Sequence, residues 1–169
     1  ETNGPVLDLL HSNYTYLNER LAQHYGIAGV AGDEFRRVHL PDNSRRGGVL
    51  TQASVLTVTS NGTATSPVVR GVWILENILG KQVKPPPDDI KPIEPDTRGA
   101  TTIRQQLAKH QEQESCAVCH RQIDPLGFSL EQFDPVGLFR ENYTHRRKIQ
   151  TDVVLADGRG LDGAGQLKQ

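Results

Sequence analysis

No methionine occurs in this chain, so none of its residues can offer a thioether sulfur to a metal. Two cysteines are too few for a disulfide framework, which leaves their spacing as the informative quantity. Aromatic residues make up 5% and hydrophobic residues 36% of the 169 positions. That is thin for a chain of this size, and a large apolar group from outside the chain would complete the core. No run approaches the ~20 apolar residues that span a bilayer. The start, ETNGPVLDLL, lacks the basic residues and apolar stretch of a signal peptide. The chain therefore reads as cytoplasmic, or as a processed or excised piece. Charge is nearly balanced, with a net −1 and a pI of about 6.7, so no nucleic-acid or anionic-membrane partner is implied. The length suits one domain, or two small units.

The residues that are present predict mainly helix. HSNYTYLNERLAQHYGI reads as one helix, capped by Ser12 or Asn13, with Tyr14, Leu17, Leu21 and Tyr25 on one face and Gly26 as its stop. IAGVAGDEFRRVHLPDNSRRGG is loop with short extended pieces. VLTQASVLTVTS is compatible with strand or helix, and Asn61-Gly62 marks a turn. TSPVVRGVWILENILG predicts a helix with Ser66 at the cap, Pro67 in the first turn and Gly80 at the end. Prolines 85, 86, 87, 92 and 95 make residues 84–98 an extended connector. TTIRQQLAKHQEQES predicts a helix capped by Thr101 or Thr102 that runs directly into Cys116. DPLGFSLEQFDPVGLFR reads as short helical turns broken at Asp-Pro and Gly. The tail, KIQTDVVLADGRGLDGAGQLKQ, predicts a short strand and an Asp-Gly turn.

Both cysteines fall in ESCAVCHRQIDPLGF, with His120 directly behind Cys119. In CAVCH two thiols can add across the vinyl groups of a haem, and the adjoining histidine is then placed under the iron. Two other chemistries compete for the same residues. A structural zinc site needs four protein ligands, and neither a second cysteine pair nor a close histidine pair among 11, 24, 39, 110 and 145 supplies them. A thiol-redox motif expects a βαβ setting, whereas a predicted helix leads into this one. The expectation is one covalent haem c held by Cys116, Cys119 and His120. Leu126 and Phe128 would pack on the ring, and a backbone carbonyl near Pro125 would accept the His120 N–H.

The order LNERLAQHYGI, RRGGVLTQASVLTVTSNGTATSPVVRGVWILENILG, a PPP run, and CAVCHRQIDPLGFSLEQFDPVGLFR resembles the planctomycete-type cytochrome c multidomain proteins. The resemblance covers nearly the whole chain, and its long middle block is far more specific than the five-residue motif. It implies a bacterial source, export to the periplasm or beyond, and covalent haem. It implies no particular catalytic activity. Residues 1–40 resemble the end of one domain, 41–140 a haem-bearing domain that includes the connector, and 141–169 the start of a small following one. The fold expected is mainly α, with cytochrome c-like helices around one covalent haem, long loops and a short β element near the C-terminus.

The sixth iron position decides the function. Without methionine, a His/Met cytochrome is excluded within this chain. His24, in LAQHYG, is the first choice as second axial ligand, then His110, then an open site. Arg70, Arg104, Arg121 and Arg140 are candidates for propionate contacts, each more readily read as a solvated surface arginine. Asn13, Asn61 and Asn142 begin N-x-Thr patterns, and RRK at 146–148 and Asp88-Asp89 carry no further signal. Two strong axial ligands favour electron transfer with redox proteins or neighbouring cytochrome subunits, while an open site permits peroxidase- or oxidase-like chemistry. A third expectation is a structural subunit whose haem stabilises the fold.

Overall fold

A computed structural model describes residues 4–85, 102–112, 114–143 and 147–169. Among these residues the chain forms seven α-helices and two two-stranded antiparallel sheets. The connector expected at 84–98 lies, from residue 86 onward, outside the described residues, as do Asp88, Asp89, Thr101 and His145.

The N-terminal segment departs from the single expected helix. A short α1 (Asp8–His11) precedes strand β1 (Tyr14–Leu17), and α2 (Glu19–Tyr25) begins only after Asn18. Asn18 accepts from Leu21 N at 3.0 Å and starts the helix there. Gly26 stops it in a left-handed conformation (φ 70°), as expected. Tyr-Thr-Tyr-Leu has the aromatic and β-branched character of a strand. It pairs with β2 (Arg36–His39), Tyr14 opposite His39 and Leu17 opposite Arg36. The mainly helical expectation thus holds only in part, because one of the two sheets lies near the N-terminus.

The ambiguous VLTQASVLTVTS resolves into a 3₁₀ turn at Val49–Thr51 and α3 (Ala53–Val58). Helix α4 (Pro67–Asn77) forms as expected, with Ser66 accepting from Val69 N and Pro67 at its start. α5 (Ile103–His110) is capped by Thr102, which accepts from Gln105 N at 3.2 Å. It does not run into the cysteines. α5 ends at His110, and α6 (Glu114–Phe128) begins anew. α6 then continues through Asp124-Pro125 and Gly127, where helical breaks were expected. Pro125 removes one helical N–H, but Ser129 N still bonds Pro125 O at 3.2 Å, so the helix carries on past it.

α4 against α6 is the most extensive contact between elements, and two glycines explain its closeness. A Cβ on Gly71 would collide with Ile123 O, and one on Gly127 would collide with Pro67 O. Each helix therefore lays its backbone on the other's at a bare Cα. Around this crossing, Leu50, Leu56, Ile74, Leu75, Ile123, Leu126, Leu130 and Phe133 form the main core. A second cluster joins Leu107 of α5, Phe128 of α6 and Val153 of β3 (Asp152–Val154). β3 pairs with β4 (Gly160–Asp162), the short β element expected near the C-terminus, and α7 (Gly163–Leu167) follows.

Two buried charges stitch the loop after α6 to the rest. Arg70, 1% exposed, donates to the carbonyls of Leu130 (3.0 Å), Phe133 (2.8 Å) and Asp134 (3.0 Å), and to Ser60 Oγ. Burial pulls its pKa down to about 10, so it stays charged at neutral pH. Glu131, fully buried, accepts from the Thr65 hydroxyl and pairs with Arg140 at 3.1 Å.

Candidate functional site

Residues 116, 119 and 120 stand at i, i+3 and i+4 of α6, so helical geometry alone puts them on one stripe. Both cysteines are thiols: Cys116 is buried and Cys119 exposed. His120 is half-buried, and its Nδ1 lies 2.9 Å from Asp124 Oδ1, one further turn along the same stripe. Asp124 is 3% exposed. Its other oxygen accepts from Gln111 Nε2 at 2.6 Å. A hydrogen bond to a carboxylate requires the proton on Nδ1, which in a neutral ring leaves the lone pair on Nε2. The expected carbonyl near Pro125 is therefore replaced by a side-chain carboxylate, a stronger acceptor.

The break between α5 and α6 supplies a second histidine. In one continuous helix, His110 and His120 would stand about 15 Å apart along the axis. With the chain turned, their ring centroids are 5.0 Å apart in an edge-to-face arrangement. Burial lowers the pKa of His110, the neighbouring His120 adds to the effect, and Asp124 opposes it. Beside the pair lies a cleft of about 260 Å³, lined by Arg104, Leu107, His120, Pro125, Phe128 and Val153, among others.

Of the sequence-predicted residues, Cys116, Cys119 and His120 share one stripe of α6, and His120, Pro125 and Phe128 line the cleft, which neither cysteine reaches. Leu126 does neither, because it turns into the main core between α4 and α6. His24 is not brought to His120 either. It donates from Nε2 to Val136 O at 2.8 Å and packs against Tyr25. The candidate arginines are also engaged elsewhere. Arg70 is buried in the core, Arg121 pairs with Glu114 and Arg140 with Glu131. Arg104 alone lines the cleft, stacked 4.2 Å over Phe128 and donating to Gln150 O and Asp152 O. Sequence reasoning missed Gln111 and Asp124. Asp124 was visible as an i+4 partner of His120 in HRQID, a signal hidden behind its reading as half of an Asp-Pro break.

The arrangement can be set against each of the three chemistries. Among the described residues, no group of three or more His, Cys, Asp and Glu side chains is placed to hold a metal ion, so no structural zinc set assembles. A helix, α5, precedes α6, so the strand-to-helix entry of a thiol-redox motif is missing here. Two thiols one helical turn apart, followed directly by a histidine, fit the attachment of a c-type haem. The cleft is smaller than the roughly 300–1,000 Å³ pockets that enclose small organic ligands, so the fit is one of donors and spacing, not of an enclosing cavity.

Comparison with known families agrees with the order of blocks in the chain. Residues 46–143 match the PSCyt3 family, described as a protein of unknown function (DUF1588), and this match spans more than half of the chain. The chain therefore belongs to the PSCyt3 family. Residues 1–27 match a second family, PSD4, also a protein of unknown function (DUF1592). Both are domains typical of planctomycete cytochrome c-like multidomain proteins. No curated protein and no solved structure shows significant similarity to the chain.

Proposed function

We propose that the chain is a monohaem c-type cytochrome unit that relays single electrons within a larger exported bacterial protein or complex. One observation carries the reading: Cys116, Cys119 and His120 share a stripe of α6, with Asp124 holding the Nδ1 side of His120. When bound, a haem would supply a one-electron iron couple. Cys116 and Cys119 would retain it through thioethers, and His120 would ligate its iron. Pro125 and Phe128 supply apolar surface beside His120, and the cationic head of Arg104 lies beside them for an anionic group. Redox proteins or neighbouring cytochrome subunits are the partners this reading implies.

The test is a pyridine haemochrome assay on protein made with a c-type maturation system. The expected result is one thioether-linked haem per chain, lost from the Cys116→Ser/Cys119→Ser variant. Haem that extracts into acidified acetone, or a chain that stays colourless, would sink the proposal.

A second reading, an open site for small molecules, is favoured by the placement of the other histidines. His24 is spent on Val136 O. His110 packs edge-to-face on the His120 ring, 5.0 Å between centroids, instead of standing apart from it as a separate ligand would. A ferric spectrum that is high-spin and shifts with cyanide selects the open site. A low-spin spectrum in both oxidation states selects the electron carrier.

A further inference from the structure

The Asp124 carboxylate has an unusual setting for a buried charge. It accepts from two side chains, the His120 ring at Nδ1 and the Gln111 amide. Among the described residues, no lysine or arginine pairs with it. Arg104, the cation lining the same cleft, is turned to Gln150 O and Asp152 O. The charge of Asp124 is therefore not spent on a counter-ion and acts on the imidazole it touches. Gln111 matters because it sits at the C-cap of α5, outside α6, and clamps the second oxygen from across the turn. With both oxygens tied, the carboxylate cannot rotate away from His120. A carboxylate behind a ligating histidine fixes its tautomer and raises its basicity, and a more basic ligand favours the higher oxidation state of a metal.

We propose that Asp124 is a positioning residue. It locks His120 as the Nδ1–H tautomer, presents Nε2 as the donor, and lowers the reduction potential of the iron ligated there. Only the last of these rests on the haem reading above.

Two measurements separate the inference from that reading. In the haem-free protein, ¹⁵N NMR of the neutral His120 ring reports the tautomer. The Nδ1–H form is expected in the wild type, and Asp124→Ala should release it to a mixture. A wild-type ring protonated on Nε2 overturns the inference, whether or not the chain ever takes up haem. In the haem-loaded protein, Asp124→Asn keeps the size of the side chain and removes its charge. The ferric-to-ferrous ratio at fixed potential should fall on the order of tenfold, equivalent to about 59 mV for one electron. A normal haemochrome with an unchanged midpoint potential would leave the haem reading standing and overturn the tuning role of Asp124.

Discussion

Arg70 is the residue whose environment could not have been guessed from its neighbours in PVVRGVWIL. A guanidinium on an apolar helix invites a surface or ligand-contact reading. Instead its planar fork gathers carbonyls that the irregular chain after α6 leaves without helical partners. Arg70→Ala should cost about 3 kcal/mol or more, since several buried acceptors lose their donor and Glu131 keeps only Arg140 as a cation. Urea unfolding of the variant checks this, and a loss under about 1 kcal/mol would rule the role out. Glu131 gives the matching pH prediction. Burial pushes its carboxyl above the ordinary value of 4.5, against the downward pull of Thr65, Arg70 and Arg140. The folded chain therefore binds this proton more tightly than the unfolded chain does. Its contribution to stability is complete below 4.5 and is lost as pH rises through the raised folded value. Glu131→Gln should flatten that decline, read from urea midpoints across the acid range.

At the scale of elements, legibility tracked how local the cause was. α4 was readable because Ser66, Pro67 and a broad apolar face all lie within its own sequence. β1 was not, because its reason to be a strand lies about twenty residues away in Arg36–His39, a segment with no alternation of its own. α6 was misread for the opposite reason. Pro125 and Gly127 look like breaks locally, yet tertiary contact needs a helix there, and Gly127 is the position where only a hydrogen fits against Pro67 O. The crossing of α4 and α6 is accordingly intolerant of small additions. Gly71→Ala and Gly127→Ala should each destabilise by at least about 1–3 kcal/mol. Gly160→Ala, whose new Cβ would meet nothing, should stay within about 0.5 kcal/mol of the parent. Thermal melts of the three variants, compared side by side, decide whether close approach or simple loss of flexibility sets the effect.

For the molecule as a whole, the motif was legible and its surroundings were not. Cys116, Cys119 and His120 show their shared stripe through spacing alone, whereas Gln111, His110 and Arg104 reach them only because α5 turns back on α6. Arg104 also ties this corner to the C-terminal hairpin through Gln150 O and Asp152 O. Arg104→Ala should therefore loosen β3 and β4 more than the main core. Hydrogen exchange is expected to quicken at the amides of the hairpin and stay nearly unchanged in α4. Uniform quickening across both regions would mean that the hairpin and the core open as one unit.

The unequal exposure of the two thiols sets an order of events. A reagent in solution meets Cys119 at once, but meets Cys116 only when α6 opens. Alkylation of the native chain should accordingly run in two phases, the slow one vanishing in denaturant. A group that must bond both sulfurs then has an early deadline. On the haem proposal, that group would have to be in place while the helix is still unpacked, before the close of folding and not after it.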